Sequence, residues 1–364
     1  MGDPVPSSAI SDATTGGLSV IVITGGSTGD VLTLQANGTY TPVTPSGGVT
    51  GTGSVDNAAL RADGTGGATL QSSSIIINDN LTASPNNTVN HACIEATGTT
   101  TNVSVSIKAK GSGAFSLNAP DGTTTGGNVR GANAVDLQTF RYDAANVASG
   151  SNAFLGGGLS SRASGDYSST SGFANLATGE RAFAAGSQNT SSGRSTIALG
   201  EDSIASSSYT TTFGLNAGAT RYGQVAHASG SFSGARGQAQ YTRFVARNTT
   251  TNSTPTTLFL NGSSTRLTVV SGTILLLDVL VSGIKSDGSA AACYKRKVAI
   301  KNVGGSTSLV GSVETIGTDI EDSAGTDIAI TADNTNDALD IAVTGIAAET
   351  WRWVAVVEGV EIAY

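Results

Sequence analysis

Between residues 150 and about 235 the chain repeats itself every 14 residues, and few folds tolerate the residues that recur. Gly158, Gly172, Gly186, Gly200 and Gly214 hold one column, with Ala228 in the next place. Five residues after each come Ala163, Ala177, Ser191, Ala205, Ala219 and Ser233, and two residues before each come Gly156, Thr170, Ala184, Ala198, Thr212 and Ala226. Both columns admit only small side chains. The bulk sits beside them, in Phe183, Ile197, Leu199, Phe213 and Val225, or in Leu176, Ile204 and Phe232. A further glycine, at 165, 179 and 193, falls halfway through the early units.

A seven-residue half-period invites comparison with a coiled coil, but each glycine inside a helix costs about 1 kcal/mol relative to alanine. Collagen needs glycine at every third place, which these units lack. The pattern predicts a coil of short strands and tight turns, with glycine supplying positive φ at corners and small residues where backbones approach closely. Stacked coils place equivalent residues roughly 4.8 Å apart. Such a thin solenoid leaves strand edges and apolar positions wet, and closed three-fold symmetry would cover them.

Of 364 residues, 48 are Gly, only 13% are charged and only 5% are aromatic. A chain like this cannot order itself around one large private core. The net charge is −8 and the 19 Lys and Arg are scattered, so no stripe is present for a nucleic-acid backbone. Cys93 and Cys293 each stand alone, without metal-site or disulfide spacing. The longest apolar run, Ile274 to Val281, contains Asp278 and is too short to span a bilayer. Texture divides the chain into residues 1–48, irregular and proline-bracketed around a strand-like run Leu18 to Thr24; 49–149, with short strands such as Ser74 to Asn78 and Val103 to Ala109; 150–236, the repeats; and 237–364, a compact terminal domain.

In that domain the expected strands are Tyr241 to Arg247, Thr256 to Leu260, Arg266 to Val270, Ile274 to Ser282, Ala292 to Asn302, Leu309 to Thr315, Ile328 to Ala332, Ala338 to Thr344 and Trp351 to Ala363. Strands of this length between Gly, Asn and Asp turns predict an antiparallel sandwich or jelly roll. Trp351 and Trp353 share one face of the last strand. They are the candidate receptor-binding residues, since paired aromatics stack on sugars; burial in a core or subunit interface outweighs that reading for large aromatics.

Titratable groups that could converge on a catalytic centre are few. His91 and His227 are the only histidines, and His227 falls in an inward or interface column of the last coil. Asp166 and Glu180 lie one coil apart, the spacing of retaining glycosidase carboxylates. Arg194 continues their column, so a solvated charge ladder is favoured. The loop with Asp319, Glu321, Asp322 and Asp327 lacks the spacing of a calcium loop. No catalytic residue, metal ligand or cofactor is assigned, and the chain is expected not to be an enzyme.

The units Ser195-Thr-Ile-Ala-Leu-Gly200 and Gly165-Asp-Tyr-Ser-Ser-Thr-Ser-Gly172 resemble the head repeats of trimeric autotransporter adhesins, whose fold is a left-handed parallel β-roll built by three chains. The stretches Asp56-Asn-Ala-Ala-Leu-Arg-Ala-Asp-Gly-Thr-Gly-Gly and Gly131-Ala-Asn-Ala-Val-Asp-Leu-Gln138, with His227-Ala-Ser-Gly and Trp351-Arg-Trp-Val-Ala-Val-Val, resemble bacteriophage tail-fibre and virion proteins. An adhesin's membrane anchor and coiled-coil stalk are missing, which favours the phage particle. The resemblance implies an all-β, elongated homotrimeric fibre: a parallel β-roll shaft, a C-terminal sandwich head, residues 1–48 docked on a tail baseplate, adaptor or other virion protein, and the head meeting host-surface polysaccharide or protein. A polysaccharide-degrading tailspike and a head fibre or capsid decoration are the alternatives.

Overall fold

The computed structural model describes residues 102, 104 and 106–364 in full and, as backbone only, five strands before them: Val31–Leu34, Tyr40–Val43, Ala58–Asp63, Thr69–Asn78 and Cys93–Ala96. The chain divides into two compact units, Met1–Ile107 and Lys108–Tyr364. In the first, Val31–Leu34 pairs antiparallel with Tyr40–Val43, and Thr69–Asn78 pairs antiparallel with both Ala58–Asp63 and Cys93–Ala96. The run Leu18 to Thr24, His91 and the side chain of Cys93 lie outside the described residues. Residues 106–109, expected to be a strand, carry none; their side chains are largely exposed, with no neighbouring strand to pair them.

The second unit contains no helix among its residues. Its main sheet begins with parallel strands: β1 (Phe115–Ser116), β2 (Val135–Asp136), β3 (Phe154–Leu159), β4 (Ser169–Phe173), β5 (Phe183–Ser187), β6 (Ile197–Glu201), β7 (Thr211–Leu215) and β8 (Val225–Ser229). Facing them, five two-residue strands from Arg162–Ala163 to Gly218–Ala219 form a second parallel sheet. The result is a parallel β-solenoid of about five coils. The 14-residue period is the register: Gly172 pairs with Gly186, Gly186 with Gly200, and Gly200 with Gly214.

The small-residue columns line the interior. Ala163, Ala177, Ala205 and Ala219 from one sheet and Ala184, Ala198 and Ala226 from the other are fully buried. Gly156 does not belong to its expected column. A bulge between β3 and β4 brings Leu155 opposite Thr170 instead, and Leu155 is the buried residue. An alanine interior supplies little hydrophobic free energy, at about 0.8 kcal/mol per buried methylene, so the backbone ladders carry much of the order.

The column glycines hold φ between +95° and +116°, but the tight corners are made by other residues. Ala174, Gln188, Asp202 and Asn216 turn one corner, and Tyr167, Arg181, Ser195 and Tyr209 the other, all at φ near +55°. A left-handed conformation costs a side-chain-bearing residue roughly 1–2 kcal/mol. It is held because each amide there donates to the preceding coil, as Arg181 N–H does to Asp166 O at 2.8 Å and Tyr209 N–H to Arg194 O at 2.9 Å.

A polar column, three residues after each spaced glycine, runs inside the solenoid. The Asn175 and Asn189 side-chain amides donate to Gly186 O at 2.7 Å and Gly200 O at 2.6 Å, and their carbonyls accept from the amides of Asn189 and Ser203, both at 3.0 Å. Ser161 and Ser203 serve Gly172 O and Gly214 O in the same way. Every coil thus satisfies backbone groups of the next, as buried polar atoms require.

The terminal region extends the same sheet and reverses its direction. Antiparallel to β8 runs β9 (Ala239–Thr250), followed in sheet order by β15 (Trp351–Ala363), β10 (Thr273–Lys285), β11 (Ala291–Val303) and β12 (Ser306–Leu309). A second antiparallel sheet holds β13 (Asp327–Asp333), β14 (Ala338–Thr344) and the short strands Thr256–Thr257 and Leu267–Thr268. One core lies between the sheets, with Phe244, Leu275, Leu277, Val279 and Val357 on one side and Ile330, Leu339 and Ile341 on the other. The expected strand Leu309 to Thr315 is broken in two, Ser306–Leu309 and Glu314–Thr315, because Gly311 between them turns at φ +78°.

Candidate interaction face

Trp351 and Trp353 are 0% and 1% exposed. Their rings stack on each other at 5.6 Å, Tyr294 stacks on Trp353 at 6.3 Å, and the indole N–H groups donate to Glu349 and to Thr250 Oγ1. Gly283 lies opposite, where a Cβ would sit 2.2 Å from the Trp353 ring. Both aromatic faces are covered by protein, and neither is open to a sugar. Gly158, Gly172, Gly186, Gly200 and Gly214 stand at positive φ in the main sheet, and Ala163, Ala177 and Ala205 are fully buried in the facing one.

What the fold leaves open is the other face of the main sheet. In-register neighbours run across it from the solenoid into the terminal region: Leu199, Phe213, His227, Tyr241, Val360, Leu276. Phe213 is 41% exposed, Tyr241 42%, Val360 49% and Leu276 47%, and Ile274 and Ile362 flank them in the same condition. Scattered single apolar side chains on a surface are ordinary, but a contiguous strip marks an interaction site. His227 is exposed on this strip rather than turned inward. The alternation of β10, β15 and β9 is the cause: in β10 and β15 apolar residues occupy both the odd, core-facing positions and many of the even, outward ones, and in β9, where the even positions face the core, Tyr241 and Val245 face outward.

One charged row crosses the strip. Arg243, Glu358, Asp278 and Lys297 are cross-strand neighbours, and Arg243 Nε lies 3.7 Å from Glu358. The Tyr241 hydroxyl donates to Glu358 at 2.6 Å, and that hydrogen bond, with burial second, pushes the phenol above its ordinary range.

The joint between solenoid and terminal sheet is a buried polar knot. Arg221 forks onto both carboxylate oxygens of Glu361, 140 residues away. Gln224 and Gln240 donate to the same carboxylate at 3.2 and 2.9 Å, and Gln224 also donates to Thr242 Oγ1 at 2.8 Å. Gln240 further caps the last coil by exchanging hydrogen bonds with Gly218, both at 2.9 Å. At the solenoid's other end Asp136 sits buried between Arg130, at 2.7 Å, and Arg141, at 3.8 Å; burial lowers the Arg141 pKa.

The carboxylates weighed as catalytic or calcium-binding candidates are engaged. Glu180 pairs with Arg181 at 2.8 Å and Arg194 at 3.3 Å, and Asp166 accepts the Ser151 amide. In the acidic loop Glu321 accepts from Tyr294, Asp322 from the Ala291 amide and Asp327 from the Ile328 amide. Asp319 forks onto Arg296 at 2.6 and 2.7 Å. Among the described residues no three His, Cys, Asp or Glu side chains gather as metal ligands. Arg296 holds the Asp319 carboxyl below its usual range. A depressed pKa stabilises above the unfolded value of about 3.9 and is lost as pH falls through the folded value. The loop is therefore expected to loosen below about pH 4, read by hydrogen exchange of the amides at 317–323, and the Arg296→Gln variant should show the looser loop already at neutral pH.

No protein-family model and no curated protein matches the chain. Solved structures with a distant likeness are phage tailspikes. The tailspike of Acinetobacter phage vB_ApiP_P1 aligns at 11% identity over 65% of this chain and 55% of its own, with a TM-score of 0.21. Tailspike gp49 of Acinetobacter baumannii bacteriophage Fri1, described as a capsular polysaccharide depolymerase, aligns at 10% identity over 69% and 52%, TM-score 0.22. The Acinetobacter baumannii phage AM24 tailspike aligns at 10% over 68% and 52%, TM-score 0.20. The chain spans about half the length of these structures, and at such TM-scores no residue or activity transfers. The expectation that the chain is not an enzyme is nevertheless withdrawn, since one of these neighbours is described as a depolymerase. The adhesin-type repeats remain a resemblance, as no family match accompanies them.

Proposed function

We propose that this chain is a subunit of a bacteriophage tail-attachment protein, a homotrimer that binds host-surface polysaccharide. The observation that carries the reading is the apolar strip shared by the solenoid and the terminal sheet. Its occupants are two further copies of this chain. The strip runs through two regions of different architecture, as a common self-association surface would, and the charged row offers both signs, so it can meet its own kind. Resemblance of the repeats to trimeric adhesin heads supports three copies rather than two. Residues 1–48 dock on the virion, the stacked coils form a stiff spacer, and residues 237–364 form the two-sheet head that meets the host. A stiff spacer carries a head outward without the entropy of a floppy linker, and three identical heads multiply a weak sugar affinity.

Light scattering on the purified chain is expected to give three times the chain mass. Phe213→Glu and Leu276→Glu, both at exposed positions of the single chain, should release folded monomers. A wild-type monomer would overturn the trimer. Incubation of the trimer with host-surface polysaccharide should show saturable binding, and oligosaccharides in the same mixture would show that binding is accompanied by cleavage. Absence of any binding would favour a purely structural particle protein.

A further inference from the structure

Where β9 and β15 overhang the last coil, the apolar strip gives way to a small pocket of about 250 Å³ lined by Arg247, Asn248, Thr249, Gly262 and Arg352 among others. Arg247 pairs across the strands with Val354, and Arg352 with Thr249, so the two arginines are diagonal neighbours on one face. They are the only arginines of the two long strands' outward face lacking a carboxylate: Arg243 has Glu358, but no carboxylate among the described residues lies within ion-pair distance of Arg247 or Arg352. Diagonal neighbours on a sheet lie within reach of each other's long side chains, so both guanidinium groups can address one ligand. The pair places two positive charges at the mouth of one pocket, where an anionic ligand could meet both.

The pocket is also built. Arg247 Nη2 donates to Asn261 O at 3.0 Å and Nη1 reaches Leu260 O at 3.4 Å, which fixes the plane of the guanidinium. Gly262 turns at φ +82°, and a Cβ there would fall 2.9 Å from Arg247 Nε, so its bare Cα leaves the room this side chain uses. Arg352 is exposed, and among the described residues its side chain has no hydrogen-bond or ion-pair partner, so its fork is available. The Asn248 side chain is tied to Thr257 O and the Thr249 amide, leaving the Thr249 hydroxyl as a neutral polar contact.

The geometry points to this pocket as a binding site for an acidic saccharide, one sugar carboxylate taken by the Arg247 and Arg352 forks and a hydroxyl by Thr249. Planar, two-donor recognition of a carboxylate is what a guanidinium does best, and the volume suits the carboxylate end of one sugar ring and excludes a helix or strand. The site rests on the polysaccharide-binding reading and narrows it: the net negative charge of the chain predicts recognition by neutral hydrogen bonds and stacking, whereas this pocket selects for negative charge.

Calorimetric titration of the assembled protein with a glucuronic-acid oligosaccharide and its carboxyl-reduced counterpart tests this. The acidic form is expected to bind at least about tenfold tighter, the value of one charge-assisted contact, with affinity falling as salt rises. Arg352→Gln and Arg247→Gln should each remove that advantage, and Arg352→Gln should leave the melting temperature unchanged because the side chain is free. Equal binding of the two forms, or an unaltered Arg352→Gln protein, overturns the site. Inorganic phosphate binding as tightly as the oligosaccharide overturns it too, as an unselective anion site. Host polysaccharide binding that survives in both variants leaves the attachment reading standing and this site refuted; loss of all saccharide binding in the wild type refutes both.

Discussion

Gly186→Ala is expected to destabilise the solenoid by more than about 3 kcal/mol. The added Cβ would sit 2.0 Å from the carbonyl oxygen of Gly200, directly in the next coil, and the residue holds φ +111°, a region closed to side-chain-bearing residues. The strained backbone alone costs about 1–3 kcal/mol. Relief is blocked, because Gly200 meets Gly214 at 2.1 Å and Gly172 meets Gly186 at 2.3 Å by the same construction. Moving one coil shifts the whole stack. Urea unfolding of Gly186→Ala beside Ser206→Ala, an exposed position of the same stack, gives the comparison; the latter should stay within about 0.5 kcal/mol of the parent. Equal midpoints would mean that the coils are not in this register.

Glu361→Ala is expected to cost about 3–5 kcal/mol by leaving the Arg221 guanidinium buried without its partner. The side chains are 4% and 5% exposed, and Gln224 and Gln240 lose an acceptor at the same time. Since the knot ties the last coil to the final strand, melting should split into two transitions, one for the coils and one for the two-sheet region. The double change Arg221→Met with Glu361→Leu should recover most of the loss, since apolar replacement of a buried pair is often neutral or better. A single, unshifted transition in Glu361→Ala would refute the coupling.

The parts of the fold legible in the sequence are those whose physical cause is local and periodic. Glycine and alanine columns at a spacing of 14 dictate stacked coils, and alternation in the last strand puts Trp351 and Trp353 on one buried face. The interior ladder of Ser161, Asn175, Asn189 and Ser203 has the same spacing and could have been found, but polar residues in a polar stretch read as wet. The bulge at Gly156 defeats a strict count, because one inserted residue shifts every side chain behind it to the other face. Arg221 and Glu361 meet across 140 residues, and no local pattern announces such a pair. The pocket is of the same kind: Arg247 and Arg352 each look like an ordinary outward residue of an alternating strand until β9 and β15 are laid side by side.

The reversal at β9 has a consequence for how the stack of coils can vary. A parallel stack ends in an open rim that would template one more coil from any neighbour, and here that rim is sealed by a strand running the other way and by the Gln240 amide. Growth without limit is blocked, yet the seal touches only the last unit. Loss or duplication of 14 residues upstream would slide the whole ladder by one rung, about 4.8 Å, and leave both ends as they were. The length of the stack is thus a digital property, set by counting units rather than by reshaping them.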